Sequence, residues 1–274
     1  MIKQTAIWIL FISFTTAFSI DQPTDAHIKT EKLWGQTGHR IVAEVAQNHL
    51  TPVAEQAVRE LLGGVSMASV SVWADEARGK DEWSFTRTWH YTTIPDGETY
   101  EMAKKQPDGD VITALRKYEK VLRSNDASRD EKVTALKFFI HFAGDVHQPL
   151  HVGNGEDRGG NDVDVSWYGE KARLHSVWDS DIIEHTELSF TEFTRFIDHA
   201  TEEQIKDWQD DDYVDWAMES YNVRDQVYSF SKNSNSSRLP YLSWDYRNMA
   251  VPIVEKRLLK AGIRLAGILN DIYS

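Results

Sequence analysis

Two histidine–aspartate spacings within one short segment constrain this chain more than any other feature. His141 precedes Asp145 by four residues, and His175 precedes Asp179 by the same interval. Residues at i and i+4 of a helix lie one above the other on the same face. Each pair can therefore present one imidazole and one carboxylate to a single point, which is how a helix offers two ligands to a divalent ion.

A third histidine between the two pairs strengthens the case for a metal site. His151 follows Pro149, and proline ends the first helix because the residue before it is pushed out of the helical region. His151 then lies on a turn and can point back at the helix end. A single His/Asp pair is usually a hydrogen-bonded pair in the core or part of a solvated helix face. Two such pairs with interleaved histidines favour a metal-binding site. Nitrogen and oxygen ligands in a chain without cysteine suit zinc or another borderline first-row metal.

The hydrophobic patterning predicts a mainly α fold with a small β-hairpin. The 274 residues fit one large domain or two small ones. A hairpin is expected from Asp162–Tyr168 and Lys171–Leu174 around Gly169-Glu170, a short extended piece near His90, and a loop over Ser231–Ser243. Helices are predicted after His39 and over Val53–Leu62, Asp110–Ser124, Asp130–Gly144, Thr191–Ala200, Thr201–Trp208, Asp212–Tyr228 and Val251–Tyr273. The second of these is expected to start with Thr51 as N-cap and Pro52 at the first position, and to stop at Gly63-Gly64.

The amino terminus has the character of an export signal. Residues 1–19 contain a lysine near the start and an apolar run that is too short to span a bilayer. A signal peptide is predicted there, with a cleavage site that could extend to residue 33; a buried amino-terminal helix is the alternative. Residues 20–33 are a polar lead-in, and 34–274 form the expected domain. We therefore expect a periplasmic or secreted protein without a membrane anchor or disulfides.

Other candidate ligands precede the central segment. Asp75 and Arg78 lie near each other on a predicted helix, and His90 lies among β-branched and aromatic residues. A carboxylate and an imidazole on an otherwise apolar helix are costly unless they are paired or bind metal. The candidate ligands from the residues alone are Asp75, His90, His141, Asp145, His151, His175 and Asp179, with His39 near the start of the domain.

Several motifs, taken together and in this order, resemble those of the S1/P1 nuclease family. They are WGQTGH from Trp34, WADEAR from Trp73, HY at His90, HFAGDVHQPLH from His141, GGND from Gly159, LHSVWDSDII from Leu174 and WAMES from Trp216. The resemblance runs from Trp34 to the carboxyl terminus. It implies a single-domain helical fold similar to that of zinc-dependent phospholipase C.

The resemblance implies a cluster of three zinc ions. The first would be held by Asp75, His90, His141 and Asp145, and the second by His151, His175 and Asp179. The third would take His39, Asp145, and the amine and carbonyl of Trp34. Trp34 can coordinate metal through its amine only if it is the mature amino terminus. That requires a second protease to trim the lead-in, or a start codon and amino-terminal tail that differ from the usual arrangement. Otherwise the third site uses only His39, Asp145 and the Trp34 carbonyl.

The resemblance also implies an activity and substrate contacts. A metal-activated water would hydrolyse phosphodiester bonds of single-stranded DNA and RNA to 5′-phosphorylated products, and 3′-nucleotides are possible substrates. Asp75 and Asp145 would serve catalysis as metal ligands. Arg78 would hold the substrate phosphate, Asn161 would lie near the scissile phosphate, and Tyr91 would stack on a base. His147 is not a family ligand, and we expect it to be packed away from the metals.

The charge balance bears on the substrate. The net charge is −13, whereas proteins that wrap duplex nucleic acid usually show a basic patch. Local, sequence-tolerant binding of single strands by a monomer fits this composition better. Two alternatives remain: a phospholipase C-like enzyme, which predicts an apolar rim beside the ligands, and a non-catalytic metal- or nucleic-acid-binding module, which predicts a missing ligand. The sequence shows neither feature.

Overall fold

The protein is described by a computed structural model over residues 35–230 and 238–274. These residues belong to one compact unit. The predicted signal peptide (1–19), the lead-in (20–33) and Trp34 lie outside the described residues. None of the helices in the described part of the chain is both long and apolar enough to cross a membrane.

The prediction of a mainly α fold is confirmed. The α-helices are α1 Gln36–Asn48, α2 Pro52–Leu61, α3 Met67–Val70, α4 Trp73–Ala77, α5 Val111–Arg123, α6 Arg129–Asp145, α7 Leu174–Ser176, α8 Ile182–Glu184, α9 Phe190–Ile197, α10 Glu202–Gln209, α11 Tyr213–Asn222, α12 Arg224–Val227 and α13 Trp244–Ile272. Two 3₁₀ helices cover Asp81–His90 and Pro149–His151, and a π-helix covers Val177–Asp181.

Helix α2 begins and ends where the sequence predicts. The Thr51 hydroxyl accepts a hydrogen bond from the Ala54 amide at 3.3 Å, and Pro52 occupies the first helical position. Proline is tolerated there because its missing N–H would have had no helical partner. Gly63 and Gly64 follow the helix with φ of 70° and 91°, a conformation that glycine adopts without steric penalty.

Helices α5 and α6 pack against each other and hold the hydrophobic core beneath the site. Each begins with a capping box, at Asp110 and Ser128 respectively, and loss of such a cap costs about 1 kcal/mol. Phe138, Phe139 and Phe142 of α6 are fully buried. Truncation of a buried phenylalanine to alanine costs about 3–5 kcal/mol. This packing therefore holds α6 in place, together with the His141 and Asp145 that it carries.

Two small sheets accompany the helices. Strand β1 (Thr92–Thr93) pairs in parallel with β2 (Val152–Gly153). Strands β3 (Asp164–Trp167) and β4 (Glu170–Arg173) are antiparallel, and β5 (Tyr241–Leu242) runs parallel to β3. The β1–β2 pair brings the segment after His90 beside the segment after His151, which helps to assemble the site.

The predicted hairpin is present, but its turn is one residue earlier than predicted. Trp167 pairs with Glu170, so Tyr168 and Gly169 form the turn. Both have positive φ, 49° and 98°, as a type I′ turn requires at its two central positions. Gly169 takes the second of those positions and not the first.

The short extended piece predicted near His90 is present as Thr92–Thr93, directly after the 3₁₀ helix that His90 ends. Other boundaries were predicted wrongly. The single helix predicted over Asp212–Tyr228 is divided into α11 and α12. Tyr241–Leu242, predicted as loop, is a strand; residues 231–237 of that loop lie outside the described residues. Helix α13 begins at Trp244 and runs through Pro252, although a proline near the start of an apolar stretch favours a helix beginning there.

Candidate metal centre

The eight predicted ligand side chains that the structure describes come together in one place. They are His39 on α1, Asp75 on α4, His90 at the end of the 3₁₀ helix Asp81–His90, His141 and Asp145 on α6, His151 at the end of the 3₁₀ helix Pro149–His151, His175 on α7 and Asp179 in the π-helix. All are buried except Asp75, which is 20% exposed. Buried charges are costly unless compensated, so this concentration requires balancing positive charge.

Within residues 35–230 and 238–274, the donor atoms form three groups, two of which share His141, and each is suited to one ion. We name them the Asp75 group, the His39 group and the His175 group. The Asp75 group is Asp75, His90 and His141; the His39 group is His39, His141 and Asp145; and the His175 group is His151, His175 and Asp179. In each group the candidate donor atoms lie within 4.8 Å of one another.

Asp145 lies between the groups. Its Oδ2 is 2.9 Å from His90 Nδ1 and 3.3 Å from His141 Nε2. Its Oδ1 is 3.4 Å from His39 Nε2 and 3.2 Å from His151 Nδ1. The two oxygens of one carboxylate thus face different sets of imidazoles, which is the geometry of a bridging ligand.

The second His/Asp pair meets as its spacing predicts, although the local helix is unusual. His175 Nε2 lies 3.0 Å from Asp179 Oδ2, and His151 Nε2 lies 3.5 Å from Asp179 Oδ1. The rings of His151 and His175 are stacked with centroids 5.2 Å apart. Asp179 lies in the π-helix Val177–Asp181, and such turns occur frequently at functional sites.

Backbone carbonyls fix two of the imidazoles. His141 Nδ1 lies 2.7 Å from the Ser71 carbonyl oxygen, and His175 Nδ1 lies 2.7 Å from the Gly159 carbonyl oxygen. A carbonyl oxygen can only accept, so Nδ1 carries a proton in both rings and Nε2 is the nitrogen that faces the site. Metal-binding histidines are commonly oriented in this way.

Several buried atoms in the site have no hydrogen-bond partner among the described residues. They include Asp75 Oδ1, His90 Nε2, Asp145 Oδ1, His151 Nδ1 and Asp179 Oδ2. Asp145 Oδ1 and His151 Nδ1 are only 3.2 Å apart, yet they lack hydrogen-bond geometry. Most buried polar atoms in proteins are satisfied. These lone pairs converge on shared space, and the residues therefore fit bound cations.

The ionisable groups shift one another's pKa. Burial disfavours the carboxylate of Asp145, but the nearby His141 and His151 outweigh burial and hold its pKa well below the usual range. Burial also opposes protonation of His141 and His151, but the surrounding carboxylates, Asp145 foremost, raise the pKa of each to about 10. Protons and metal ions therefore compete for the same imidazole nitrogens.

Two glycines permit the close approach of these segments. A Cβ at Gly144 on α6 would lie 2.8 Å from His39 Nδ1 on α1. A Cβ at Gly159, where φ is 63°, would collide with the carbonyl oxygen of Leu150. Larger residues at these positions would displace His39 or the turn whose carbonyl holds His175.

The Asp75 group and the His175 group open onto a cavity of about 530 Å³ that the predicted substrate residues also line. Arg78 Nε lies 3.6 Å from Asp75 Oδ1. Tyr91 is 37% exposed. The Asn161 amide nitrogen donates to the Arg158 carbonyl at 3.0 Å, so it holds the neighbouring turn. The structure thus brings Arg78, Tyr91 and Asn161 to the site, whereas Trp34 lies outside the described residues.

Sequence reasoning missed Gln148, which connects two ligands. Its amide nitrogen donates to Asp179 Oδ1, and its Oε1 accepts from the Leu150 amide in the turn that carries His151. Gln148 is 1% exposed. Its position directly before Pro149 was the available signal, because a polar residue there can cap the short helix that proline begins.

His147 points away from the metal groups, as predicted. Its Nδ1 lies 2.7 Å from the Ala143 carbonyl, and its Nε2 lies 2.9 Å from Arg264 Nη1. Burial, together with the nearby Arg257 and Arg264, lowers the pKa of His147 well below its usual value. The ring is therefore neutral, donates from Nδ1 and accepts at Nε2.

Beneath His147, a buried ionic network joins α11 to α13. Glu219 pairs with Arg257, Lys260 and Arg264. The Nε of Arg257 also donates to the His147 carbonyl at 3.0 Å. The network therefore supports the turn between Asp145 and His151 from below.

The chain matches known proteins over nearly its whole length. The profile of the S1/P1 Nuclease family matches residues 34–274. Endonuclease 4 of Arabidopsis thaliana is 34% identical over 88% of this chain and 89% of that protein. Endonuclease 2 of the same plant is 32% identical over 88% and 90%. Nuclease S1 of Aspergillus oryzae is 30% identical over 88% and 92%.

Proposed function

Because this chain belongs to the S1/P1 nuclease family, we propose that it is a zinc-dependent endonuclease for single-stranded DNA and RNA. Membership makes it a metal-dependent nuclease that hydrolyses phosphodiester bonds of nucleic acids. The products are 5′-phosphorylated, and 3′-nucleotides are further substrates. The observation that carries the proposal is the convergence of buried imidazoles and carboxylates in three neighbouring groups, two of which contribute residues to the lining of one cavity.

Three zinc ions would be held by these groups. Asp145 would join the Asp75 group as its fourth ligand, because its Oδ2 faces His90 and His141. The His175 group would hold the second ion, and His39 and Asp145 would hold the third together with Trp34. Nitrogen and oxygen donors without cysteine suit zinc.

The chain's own residues position the substrate and stabilise developing charge. When bound, the metal ions supply Lewis-acid chemistry, acidifying a water and neutralising charge on the phosphate. Arg78, anchored beside Asp75, directs its guanidinium charge at the equatorial phosphate oxygens. The side-chain oxygen of Asn161, whose amide nitrogen is held by the adjacent turn, orients the phosphate-bearing strand by accepting a hydrogen bond from a bridging water. No side-chain base is required.

Single strands suit the exposed aromatic group in the cavity. Tyr91 follows the ligand His90 and offers a face on which a base can stack. Stacking is worth about 1–3 kcal/mol per base and tolerates any sequence. A base in a duplex is already stacked and paired, so this contact favours unpaired strands.

A phospholipase C-like activity is not favoured. Leu150 and Tyr91 are the apolar or aromatic side chains among the described residues that line the cavity. A phospholipid would require a larger apolar rim for its acyl chains. Arginine, threonine and glutamine side chains occupy that position instead.

The test is hydrolysis by the zinc-loaded protein of matched substrates: single-stranded DNA, RNA, duplex DNA, 3′-AMP and phosphatidylcholine. Single strands should be cleaved fastest, chelation by EDTA should abolish cleavage, and zinc should restore it. Elemental analysis should find three zinc ions. Full activity after verified removal of all metal, or faster release of phosphocholine than of nucleotides, would overturn the proposal.

Export and maturation belong to the same proposal. Residues 1–19 direct export to the periplasm or medium, and trimming to Trp34 frees an amine for the third ion. A free α-amine has a pKa near 8 and must be unprotonated to bind metal. Sequencing of the mature amino terminus tests this: a start upstream of Trp34 in a fully active protein with three zinc ions would exclude the amine as a required ligand.

A further inference from the structure

Arginines are concentrated at the metal-site cavity although the protein as a whole is acidic. The net charge of the chain is −13, yet Arg78, Arg87 and Arg158 all line this cavity, and Asp75 is the sole carboxylate among its described lining residues. A second cavity shows the opposite composition. Its lining includes the carboxylates Asp96, Glu156, Asp157 and Asp225 and one arginine, Arg224. The excess of arginine over carboxylate side chains is therefore a property of the metal-site cavity and not of both cavities.

Arg87 has no partner of its own in the described part of the chain. It lies three residues before His90 in the 3₁₀ helix Asp81–His90, and its side chain is exposed. It forms neither an ion pair nor a hydrogen bond with another described residue. A guanidinium held beside a metal cluster without an internal anion is available to an anionic ligand.

Arg158 is presented by an unusual backbone conformation. Its φ is 55°, which is uncommon for a residue other than glycine and tends to occur at functional sites. The Asn161 side chain holds the Arg158 carbonyl at 3.0 Å, which fixes this turn. The Arg158 guanidinium is 75% exposed and lies 3.5 Å from Asp162, and such an exposed pair is weak enough in water to be exchanged for another anion.

We propose that Arg87 and Arg158 bind phosphates adjacent to the scissile phosphate, so that the preferred substrate is an oligonucleotide and not a mononucleotide or dinucleotide. This inference rests on the proposed nuclease activity and specifies its substrate class. The metal groups and Arg78 account for a single phosphate at the floor of the cavity. Two more guanidinium groups from different chain segments line the same cavity and can each pair with a further phosphate of a longer strand.

The proposal predicts a dependence on both substrate length and salt. Each phosphate contact on a single strand contributes about 0.7 to the slope of log affinity against log salt. Arg87→Ala and Arg158→Ala should each reduce that slope by about 0.7 for a long strand. Relative to 1 M salt, where the contact contributes nothing, this corresponds to a loss of about eightfold in kcat/KM at about 0.05 M salt. The loss should appear as a higher KM and should vanish as the salt concentration approaches 1 M.

The experiment measures kcat and KM of the zinc-loaded protein for thymidylyl-thymidine, which has only the scissile phosphate, and for an oligothymidylate of eight residues. Arg195→Ala is the matched control. Arg195 is exposed on α9 and does not line the cavity, so this substitution removes the same charge away from the site. Arg87→Lys and Arg158→Lys test whether charge is sufficient, since lysine also binds phosphate.

The expected result is a salt-dependent loss on the oligonucleotide alone in the two alanine variants, with recovery in the lysine variants and none of this loss in the control. Equal losses on both substrates, or losses matched by Arg195→Ala, would overturn the phosphate contacts. If the wild-type protein cleaves neither substrate, the nuclease proposal itself fails, which is a different readout.

Discussion

The side-chain amide of Gln148 donates a hydrogen bond to Asp179 Oδ1. The opposite end of the same amide accepts from the Leu150 backbone. One residue thereby links the turn that carries His151 to the carboxylate of Asp179, two ligands of the His175 group that come from separate segments. Asp179 Oδ2 is left to face His175 at 3.0 Å. The amide needs both its donor and its acceptor for this role.

Gln148→Met should weaken metal binding in the His175 group about 10- to 100-fold, the usual effect of removing a hydrogen bond that orients a metal ligand. Methionine keeps the volume but has neither the donor nor the strong acceptor. Zinc titration with a competing chelator measures the effect. Gln56→Met, on the exposed surface of α2, is the control. Equal affinity in both variants would show that Gln148 is only a packing residue.

Asp145→Asn should cost more metal than any other single ligand substitution. Its two oxygens face different groups, and an asparagine keeps only one oxygen and turns an amide donor toward the other side. Loss of at least one zinc ion and nearly all activity is expected by elemental analysis and nuclease assay. His147→Ala, two residues away, should lower the melting temperature but retain its zinc. Equal zinc loss in the two variants would show that the ligand assignment is wrong.

Arg78→Ala should retain its zinc and lose about 100-fold in kcat, the usual cost of removing one group that stabilises charge in the transition state. Arg78 contacts Asp75 only at 3.6 Å, so the ligand keeps its place without it. Metal content and kcat are measured on the same preparation. Loss of zinc in this variant would contradict a role on the substrate.

Glu219→Gln should destabilise the fold by about 1–3 kcal/mol, because it removes the carboxylate that pairs with the buried Arg257 and leaves Arg264 with Asp211 as its remaining ion-pair partner. Thermal or denaturant unfolding measures this loss. Glu192→Gln, at the exposed first turn of α9, is a control that should have a much smaller effect.

The effect of Glu219→Gln should also depend on pH. Burial disfavours the ionised carboxyl, but the hydrogen bond from Arg264 and the charge of Arg257 outweigh burial and lower the pKa of Glu219 from 4.5 to about 2. The carboxylate therefore contributes its full stabilisation above about pH 4.5, and the contribution is lost as the pH falls toward 2. The difference in melting temperature between wild type and variant should shrink over that interval. A constant difference would contradict the shifted pKa.

The sequence predicted helices best where local signals agree. Thr51 and Pro52 mark the start of α2, which is confirmed, and the amphipathic helix predicted over Asp110–Ser124 is present as α5. Strand β5 was missed because its two residues are held by pairing with β3, a contact that no local pattern reveals. The start of α13 was missed because Pro52 and Pro252 look alike in sequence, yet one begins a helix and the other lies inside one.

For the site, spacing predicted the pairs and resemblance predicted their assembly. The His141–Asp145 and His175–Asp179 pairs follow from helical geometry alone. That His39 meets them depends on the packing of α1 against α6, and Gly144 makes room for that contact. Gln148 and Arg158 act through a buried hydrogen bond and an unusual backbone angle, which only the three-dimensional structure displays.

The dispersal of the ligands along the chain gives the metal ions a second physical role. His39 and Asp179 belong to segments that are far apart in sequence and are joined through Asp145, His151 and the ions that the groups fit. Coordinated ions then cross-link the chain and reduce the conformational entropy of its unfolded state, as disulfides do elsewhere. In a chain with no cysteine, bound zinc would thus act as a reversible cross-link. Scarcity of metal would lower the free energy of unfolding as well as abolish the activity.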